Sequence, residues 1–240
     1  MTRPARYLTT LLLALALPIA SALAAVPVIW LPPDDAEHTL LLDALKQSGI
    51  VQDAASATDT PAAWPEALRI RVGGDGLPRY DVEARSIELP ADYLAAAVRA
   101  QAEFEVERSD ALKRGFDVVE YTLYHLLGHA ITGDYDVDND DIAEAFSTWL
   151  MVTSFPNGGE QWLENVHAFG RASQKLDGPL SDYWHRHALF RTREKQLNCL
   201  VFGSNIAHFA NLYPGLTEAP DAAQGCVEAW QALDAQYRSD

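Results

Sequence analysis

The sequence predicts an α+β fold, in which a small N-terminal antiparallel β element packs on a mainly helical body. Apolar and polar residues alternate in LRIRVGG and again in RYDVEARSIELP, as they do in half-buried strands. From Pro90 onward the apolar residues recur with the helical period, with breaks at 157–159 and 178–180. Since no internal repeat is present, we expect one domain over residues 25–240.

The N-terminal third should contain the strands. VPVIWL predicts a first short strand, and DDAEHTLLLDALKQSG predicts a helix that Asp34 or Asp35 caps and Gly49 ends. Residues 52–66 are rich in Ala, Thr, Asp and Pro and predict a loop. LRIRVGG predicts a strand, GGDGLP a turn, and RYDVEARSIELP one or two further strands that form a hairpin or meander.

Helices should fill the rest of the chain. ADYLAAAVRAQAEFEVE predicts the first of them. The others are predicted near 110–131, 138–153, 159–175, 190–202, 204–212 and 218–238.

Residues 1–24 have the pattern of a secretory signal peptide. Arg3 and Arg6 precede an apolar run, and the run ends in the A-x-A pattern Ala22-Leu23-Ala24. The run is too short to cross a bilayer comfortably, and no later segment is apolar enough to span one. We therefore expect a secreted or periplasmic protein that has no membrane contact after cleavage.

The charge and the two cysteines fit that location. The formal net charge is −16, and loss of the two arginines in residues 1–24 makes it −18. A body this acidic repels phosphate, so we expect no nucleic-acid partner. In an oxidising compartment Cys199 and Cys226 are expected to form a disulfide.

The segment YHLLGHAITG carries the first candidate site. His125 and His129 stand four apart, so on a helix they share a face and can bind one zinc ion. The spacing is that of H-E-x-x-H, in which the glutamate is the general base, but Leu126 stands at that position and cannot accept a proton. Gly128 would let another element approach the helix closely. The alternative is two hydrogen-bonded histidines in a core.

The acidic stretch GDYDVDNDDIAEAF follows at once. Asp140, Asp141 and Glu144 are available as a third metal ligand or as a partner that orients a ligand histidine. A rival interpretation is a calcium loop at Asp134, Asp136 and Asp138, although Asn139 and Ala145 stand where an EF-hand has Gly and Glu. A solvated acidic helix start would also explain the stretch.

Further motifs follow in the C-terminal half. After HLLGH and the acidic cluster come His187, Leu189, Arg193, Cys199 and Gly203, and a last segment holds Cys226, Glu228 and Trp230. This pattern resembles a bacterial family of exported metallopeptidases of unknown function, with H-E-L-G-H, an E-D-x-x-D cluster, D-x-H-x-L-x-x-Q-R and C-x-x-E. The resemblance covers roughly residues 35–238 and is specific from 116 onward. His185 stands where the family has aspartate, and PRYDVE replaces an N-A-F-Y-D-P-like stretch.

The resemblance implies a zincin-like, more closely gluzincin-like, fold whose short sheet has an edge strand lining the cleft. It implies His125 and His129 as zinc ligands with Asp140 as the third, and no base at position 126. His187 or Arg193 would stabilise an oxyanion, or would be structural hydrogen-bonding residues. We do not expect Glu120 to replace the base, because it lies on another face of the helix.

Three hypotheses follow for the function. The first is an exported protein of the metallopeptidase fold that hydrolyses poorly or not at all and holds a peptide along the edge strand. The second is an active zinc peptidase that uses another acid as the base, Asp141 or Glu144, or a water relay. The third is a calcium-stabilised or metal-free structural module.

Overall fold

The computed structural model describes residues 26–58, 64–105, 107–133, 140–174, 183 and 191–238. In this part of the chain a small sheet precedes a helical body, which confirms the α+β prediction. The strands are β1 (Val28–Trp30), β2 (Arg69–Val72), β3 (Arg79–Asp81) and β4 (Ser86–Leu89). The helices are α1 (Ala36–Ser48), α2 (Ile50–Ala57), α3 (Ala91–Ala102), α4 (Arg108–Thr132), α5 (Asp140–Ser154), α6 (Gly158–Ala172), α7 (Arg191–Ser204), α8 (Ile206–Phe209), α9 (Pro214–Thr217) and α10 (Pro220–Tyr237). The predicted signal peptide, residues 1–24, lies outside the described residues.

The sheet is mixed, so the prediction of an antiparallel element holds for only one pair of strands. The strand order is β1-β2-β4-β3. β1 pairs with β2 in parallel, β2 pairs with β4 in parallel, and only β3 pairs with β4 in antiparallel fashion. For β1 and β2 the physical reason is their connection: α1 and α2 lie between them, and a helical crossover returns the chain in the same direction. β2 and β4 are joined through β3, which runs antiparallel to β4 at the edge of the sheet, so β4 runs in the direction of β2.

The predicted loop at residues 52–66 is wrong for its first part. Helix α1 is capped by the side chain of Asp35 and ends at Gly49, which has a φ of 82°. The chain then turns directly into α2, which buries Val51, Ala54 and Ala55 on one face. The Pro and Thr residues that suggested a loop begin only at Thr58, and residues 59–63 lie outside the described part.

Helix α4 is the centre of the helical body. It runs for 25 residues and packs against α2, α3, α5 and α6 as well as β3 and β4. Seventeen of its residues are buried, in an almost unbroken run from Gly115 to Ala130. A helix that is buried nearly all round belongs to the core, so the polar side chains on it need partners inside the protein.

Gly128 brings α5 onto α4. A Cβ atom at this position would lie 2.3 Å from the backbone oxygen of Ala143, which is well inside van der Waals contact. The hydroxyl of Ser147 reinforces the contact by donating to the backbone oxygen of Tyr124 at 2.7 Å. The sequence-based expectation of a close approach at Gly128 is therefore met by α5.

The predicted disulfide is present between Cys199 in α7 and Cys226 in α10. The two cysteines are 27 residues apart, and a covalent loop of that size stabilises the folded state by about 3 kcal/mol. The bond ties α10 to the helix that carries Arg193.

None of the helices in the described residues combines the length and the apolar character needed to cross a bilayer.

Replacing Gly128 with alanine tests the contact between α4 and α5. We expect Gly128→Ala to lower the free energy of unfolding by about 3 kcal/mol, because the new methyl group overlaps the backbone of Ala143. Gly170→Ala in α6 is the control: a Cβ there meets nothing within 4 Å, so higher helix propensity should raise the stability by up to about 1 kcal/mol. Chemical denaturation checks both values, and equal effects of the two substitutions would contradict the close packing.

Candidate metal centre

Three buried side chains bring their ligand atoms together between α4 and α5. The Nε2 atoms of His125 and His129 are 3.2 Å apart. The Oδ1 atom of Asp140 lies 3.2 Å from Nε2 of His129 and 3.5 Å from Nε2 of His125. In the described part of the chain, these three residues form the group of potential metal ligands: one ligand atom from each lies within 4.8 Å of the other two.

Local structure explains why these residues meet. The two histidines are one helical turn apart on α4, so both imidazoles project from the same face. Asp140 is the first residue of α5, and the packing of α5 across Gly128 carries its side chain to that face. All three residues are at most 2% exposed.

The separations of the ligand atoms fit a tetrahedral metal ion. Bonds of about 2.0–2.2 Å from a tetrahedral ion to nitrogen and oxygen place neighbouring ligand atoms about 3.3–3.5 Å apart. The three measured distances, 3.2, 3.2 and 3.5 Å, match that spacing. Within the described residues, the arrangement therefore has the donor types and the size of a metal site built from three side chains.

Arg193 contacts the carboxylate of Asp140 through the oxygen that is not directed at the histidines. Its Nη2 atom lies 3.3 Å from Oδ2 of Asp140, the oxygen that does not face the histidines. The same guanidinium contacts Oδ1 of Asp141 at 3.0 Å. It also makes a two-point contact with Glu144, at 2.5 and 3.1 Å. One arginine thus contacts three acidic side chains at the start of α5, offsets part of their charge and fixes the orientation of Asp140.

Glu144 and Tyr121 complete this network. The Tyr121 hydroxyl donates to Oε1 of Glu144 at 2.6 Å, and the Tyr121 ring stacks on the ring of His125 with centroids 6.0 Å apart. Burial raises the pKa of Glu144 to about 7, although Arg193 and the Tyr121 hydroxyl act in the opposite direction. The described contacts of Glu144 go to Arg193 and Tyr121, so its link to His125 is indirect, through the Tyr121 ring.

Tyr121 is not among the residues that the sequence analysis predicts for the centre. The available signal was its spacing: Tyr121 is four residues before His125, so it lies on the same face of α4.

Leu126, at the position that H-E-x-x-H gives to glutamate, is fully buried in the main hydrophobic core. It follows His125 directly and lies about 60° from His129 around the helix. The side chain contributes packing and carries no group that could take up a proton.

Several predicted residues lie outside the described part of the chain. These are His187, one of the two candidate oxyanion residues, and the three aspartates of the alternative calcium site, Asp134, Asp136 and Asp138. His185 also lies outside the described part, and the other histidines contact acidic residues that do not belong to the centre. His38 contacts Asp92, His167 lies near Glu194, and His208 contacts Glu160.

Glu120 lies on a different face of α4, as expected, and has its own environment. Its Oε2 atom accepts hydrogen bonds from the amides of Gln161 at 3.0 Å and Asn165 at 2.9 Å. Burial raises the pKa of Glu120 to about 7, while these two hydrogen bonds lower it.

The raised pKa of Glu120 predicts a pH dependence of stability. The unfolded chain releases the proton near pH 4.5 and the folded protein near pH 7, so the free energy of unfolding falls as the pH rises between these values. Glu120→Gln removes this slope. We therefore expect the variant to be more stable than the wild type by about 1–3 kcal/mol at about pH 8, with little difference at about pH 4.5.

Denaturant titration at both pH values measures this difference. Glu228→Gln, at an exposed residue of α10, controls for the change in net charge. A stability difference between Glu120→Gln and wild type that is the same at both pH values would show that Glu120 does not titrate in this way.

Comparison with known proteins places the chain in a family. A family model described as "Putative metallopeptidase" matches residues 30–239. No curated protein and no solved structure matched the chain. The matched region contains the whole of the His125, His129 and Asp140 centre, as well as Leu126 at the position of the general base. The chain therefore belongs to this metallopeptidase family.

Proposed function

We propose that this protein binds one zinc ion through His125, His129 and Asp140 and that its capacity to hydrolyse peptides is impaired or lost. The observation that carries the proposal is the convergence of two imidazole nitrogens and one carboxylate oxygen beside a buried leucine. Two imidazoles and a single carboxylate suit zinc and related transition ions, whereas calcium and magnesium prefer oxygen ligands. Three protein ligands with an open position are typical of catalytic zinc sites, not structural ones.

Each residue of the proposed zinc site would have a separate role. A zinc ion in such a site acts as a Lewis acid on a substrate carbonyl and activates water. His125, His129 and Oδ1 of Asp140 would hold the ion. Arg193 binds Oδ2 and so leaves Oδ1 turned toward the histidines. Leu126 supplies no base, and loss of general-base catalysis costs roughly 10²–10⁴-fold in rate.

An active peptidase that uses another acid as base is the second candidate. The observation in its favour is Glu144, which is buried near the centre and has a pKa raised to about 7. Its two oxygens, however, are both occupied by Arg193 and one also by Tyr121. Asp141 is mostly exposed and contacts Nε of Arg193. Neither carboxylate belongs to the group of converging ligand atoms.

Retained binding of peptides without cleavage is part of the proposal. Strand β3 is an edge strand, pairs only with β4 in the described sheet, and packs against α4, the helix that carries the histidines. An extended peptide could add to such an edge through its backbone groups. The N-terminal segment, residues 1–24, would direct the protein to the periplasm or outside the cell.

Metal analysis tests the zinc site. We expect the purified protein to bind about one zinc per chain, and His129→Ala to weaken binding by at least about 100-fold because it removes a direct ligand. His167→Ala is the matched control, since His167 is exposed and remote from the centre. Elemental analysis and competition with a chromogenic chelator give the stoichiometry and the affinity. Zinc binding that survives in His129→Ala, or stoichiometric calcium in place of zinc, would contradict the site.

Restoring a carboxylate at position 126 tests the loss of hydrolysis. We expect little peptide cleavage by the zinc-loaded wild type and a rise in kcat/KM of about 100-fold or more in Leu126→Glu. Leu126→Gln is the control, because it introduces a similar polar group into the same buried position without a base. Both variants should lose stability for that reason, so circular dichroism and zinc content are measured first.

The outcome also separates the two candidates. Efficient cleavage by the wild type that is lost in Glu144→Gln would overturn the proposal and favour the peptidase that uses Glu144. If neither the wild type nor any variant cleaves peptides although zinc is bound, the substrate cleft itself is not functional.

A further inference from the structure

A cavity lies on the opposite side of α4 from the metal centre. It has a volume of about 430 Å³ and opens between α2, α4 and the segment that joins α5 to α6. Ile50, Phe116, Met151 and Phe155 give it apolar walls, and Glu120 is at its polar side. On α4, Glu120 is turned by about 140° from His125 and about 180° from His129. The cavity is therefore independent of the proposed metal function.

Three acidic residues line this cavity, and in the described residues only one of them forms an ion pair. Asp117 is paired with Arg114 at 2.9 Å. Glu120 and Asp53 also line the cavity, and in the described residues neither of them forms an ion pair. Lys113 stands at the rim, but its ammonium group lies 4.0 Å from Glu164. Burial of a carboxylate that has no positive partner is costly, so a cationic ligand would be favoured here.

One oxygen of the Glu120 carboxylate accepts no hydrogen bond within the described residues. The residue is 7% exposed, and both of its hydrogen bonds within the described chain go to Oε2, which leaves Oε1 for a ligand. The amides of Gln161 and Asn165 hold the carboxylate in one orientation. A fixed, buried and uncompensated carboxylate at the side of an apolar cavity is the arrangement that recognises a charged donor.

Tyr124 is an independent indication of a ligand. Its side chain is fully buried, and its hydroxyl has no hydrogen-bond partner in the described part of the protein. Burial, and then the charges of Glu120 and Asp53, raise the pKa of Tyr124 well above its usual value. Tyr124 is not itself a lining residue, but it lies one turn beyond Glu120 on the same side of α4, and its ring contacts that of Phe155, which lines the cavity. A buried hydroxyl without a partner is costly unless a ligand or water satisfies it.

We propose that this cavity binds a small organic cation, an ammonium or guanidinium group carried on an apolar chain. Its charged group meets Oε1 of Glu120, with Asp53 and the Tyr124 hydroxyl close by, and its chain packs on Phe116, Met151 and Phe155. A bare metal ion fits less well, because the acidic oxygens of this cavity do not converge as the metal-centre atoms do. The volume is in the range of pockets for small molecules.

Isothermal titration calorimetry with butylguanidinium chloride tests the proposal on the purified protein. We expect binding by the wild type, a loss of affinity of at least about ten-fold in Glu120→Gln, and no change in Glu228→Gln, which removes the same charge elsewhere. Zinc loading should leave the affinity unchanged. 1-Pentanol and pentanoate, which have similar size without the positive charge, should bind far more weakly.

A second variant guards against misfolding of the first. Asp53 is exposed at the cavity mouth, so Asp53→Asn should fold normally and weaken butylguanidinium binding several-fold through its charge alone. Absence of binding by the wild type, affinity that survives both substitutions, or equal affinity for 1-pentanol would overturn the proposal.

Discussion

The close contact of α4 and α5 at Gly128 is the constraint on which the candidate metal centre depends. Only the absence of a side chain at this position lets the backbone of Ala143 approach α4, and that approach carries Asp140 to within 3.2–3.5 Å of the two histidine nitrogens. Aspartate is one methylene shorter than glutamate, so the helix that carries it has to lie close. Gly128 therefore permits the close approach of α5 to α4 that the short side chain of Asp140 requires.

Electrostatics explains how such a centre is tolerated in a buried position. Asp140 and Glu144 are each at most 2% exposed, and two buried carboxylates are stable only when their charge is compensated. Arg193, held on α7, contacts both of them. The disulfide between Cys199 and Cys226 joins α7 to α10 and so supports the segment that carries the arginine. The metal would supply the remaining positive charge on the other side of Asp140.

The sequence predicted most of the helical body and the composition of the centre, because these depend on local periodicity. His125 and His129 are one turn apart, and Asp140 opens the next helix, so the chain itself indicates the group. What it could not supply is long-range geometry. The parallel pairing of β1 with β2 depends on how α1 and α2 cross between them, and that of β2 with β4 depends on β3 taking the edge position. Helix α2 was not predicted because the residues that follow it have the composition of a loop. The contacts of Arg193 and the hydrogen bonds of Glu120 likewise arise between helices distant in sequence.

X-ray absorption spectroscopy at the zinc edge of the zinc-loaded protein tests the central claim most directly. The account predicts a first shell of nitrogen and oxygen only, at about 2.0–2.2 Å, with the outer-shell scattering of two imidazoles. A first shell containing sulfur, a shell of oxygen alone, or scattering from fewer than two imidazoles in the wild type would contradict the account.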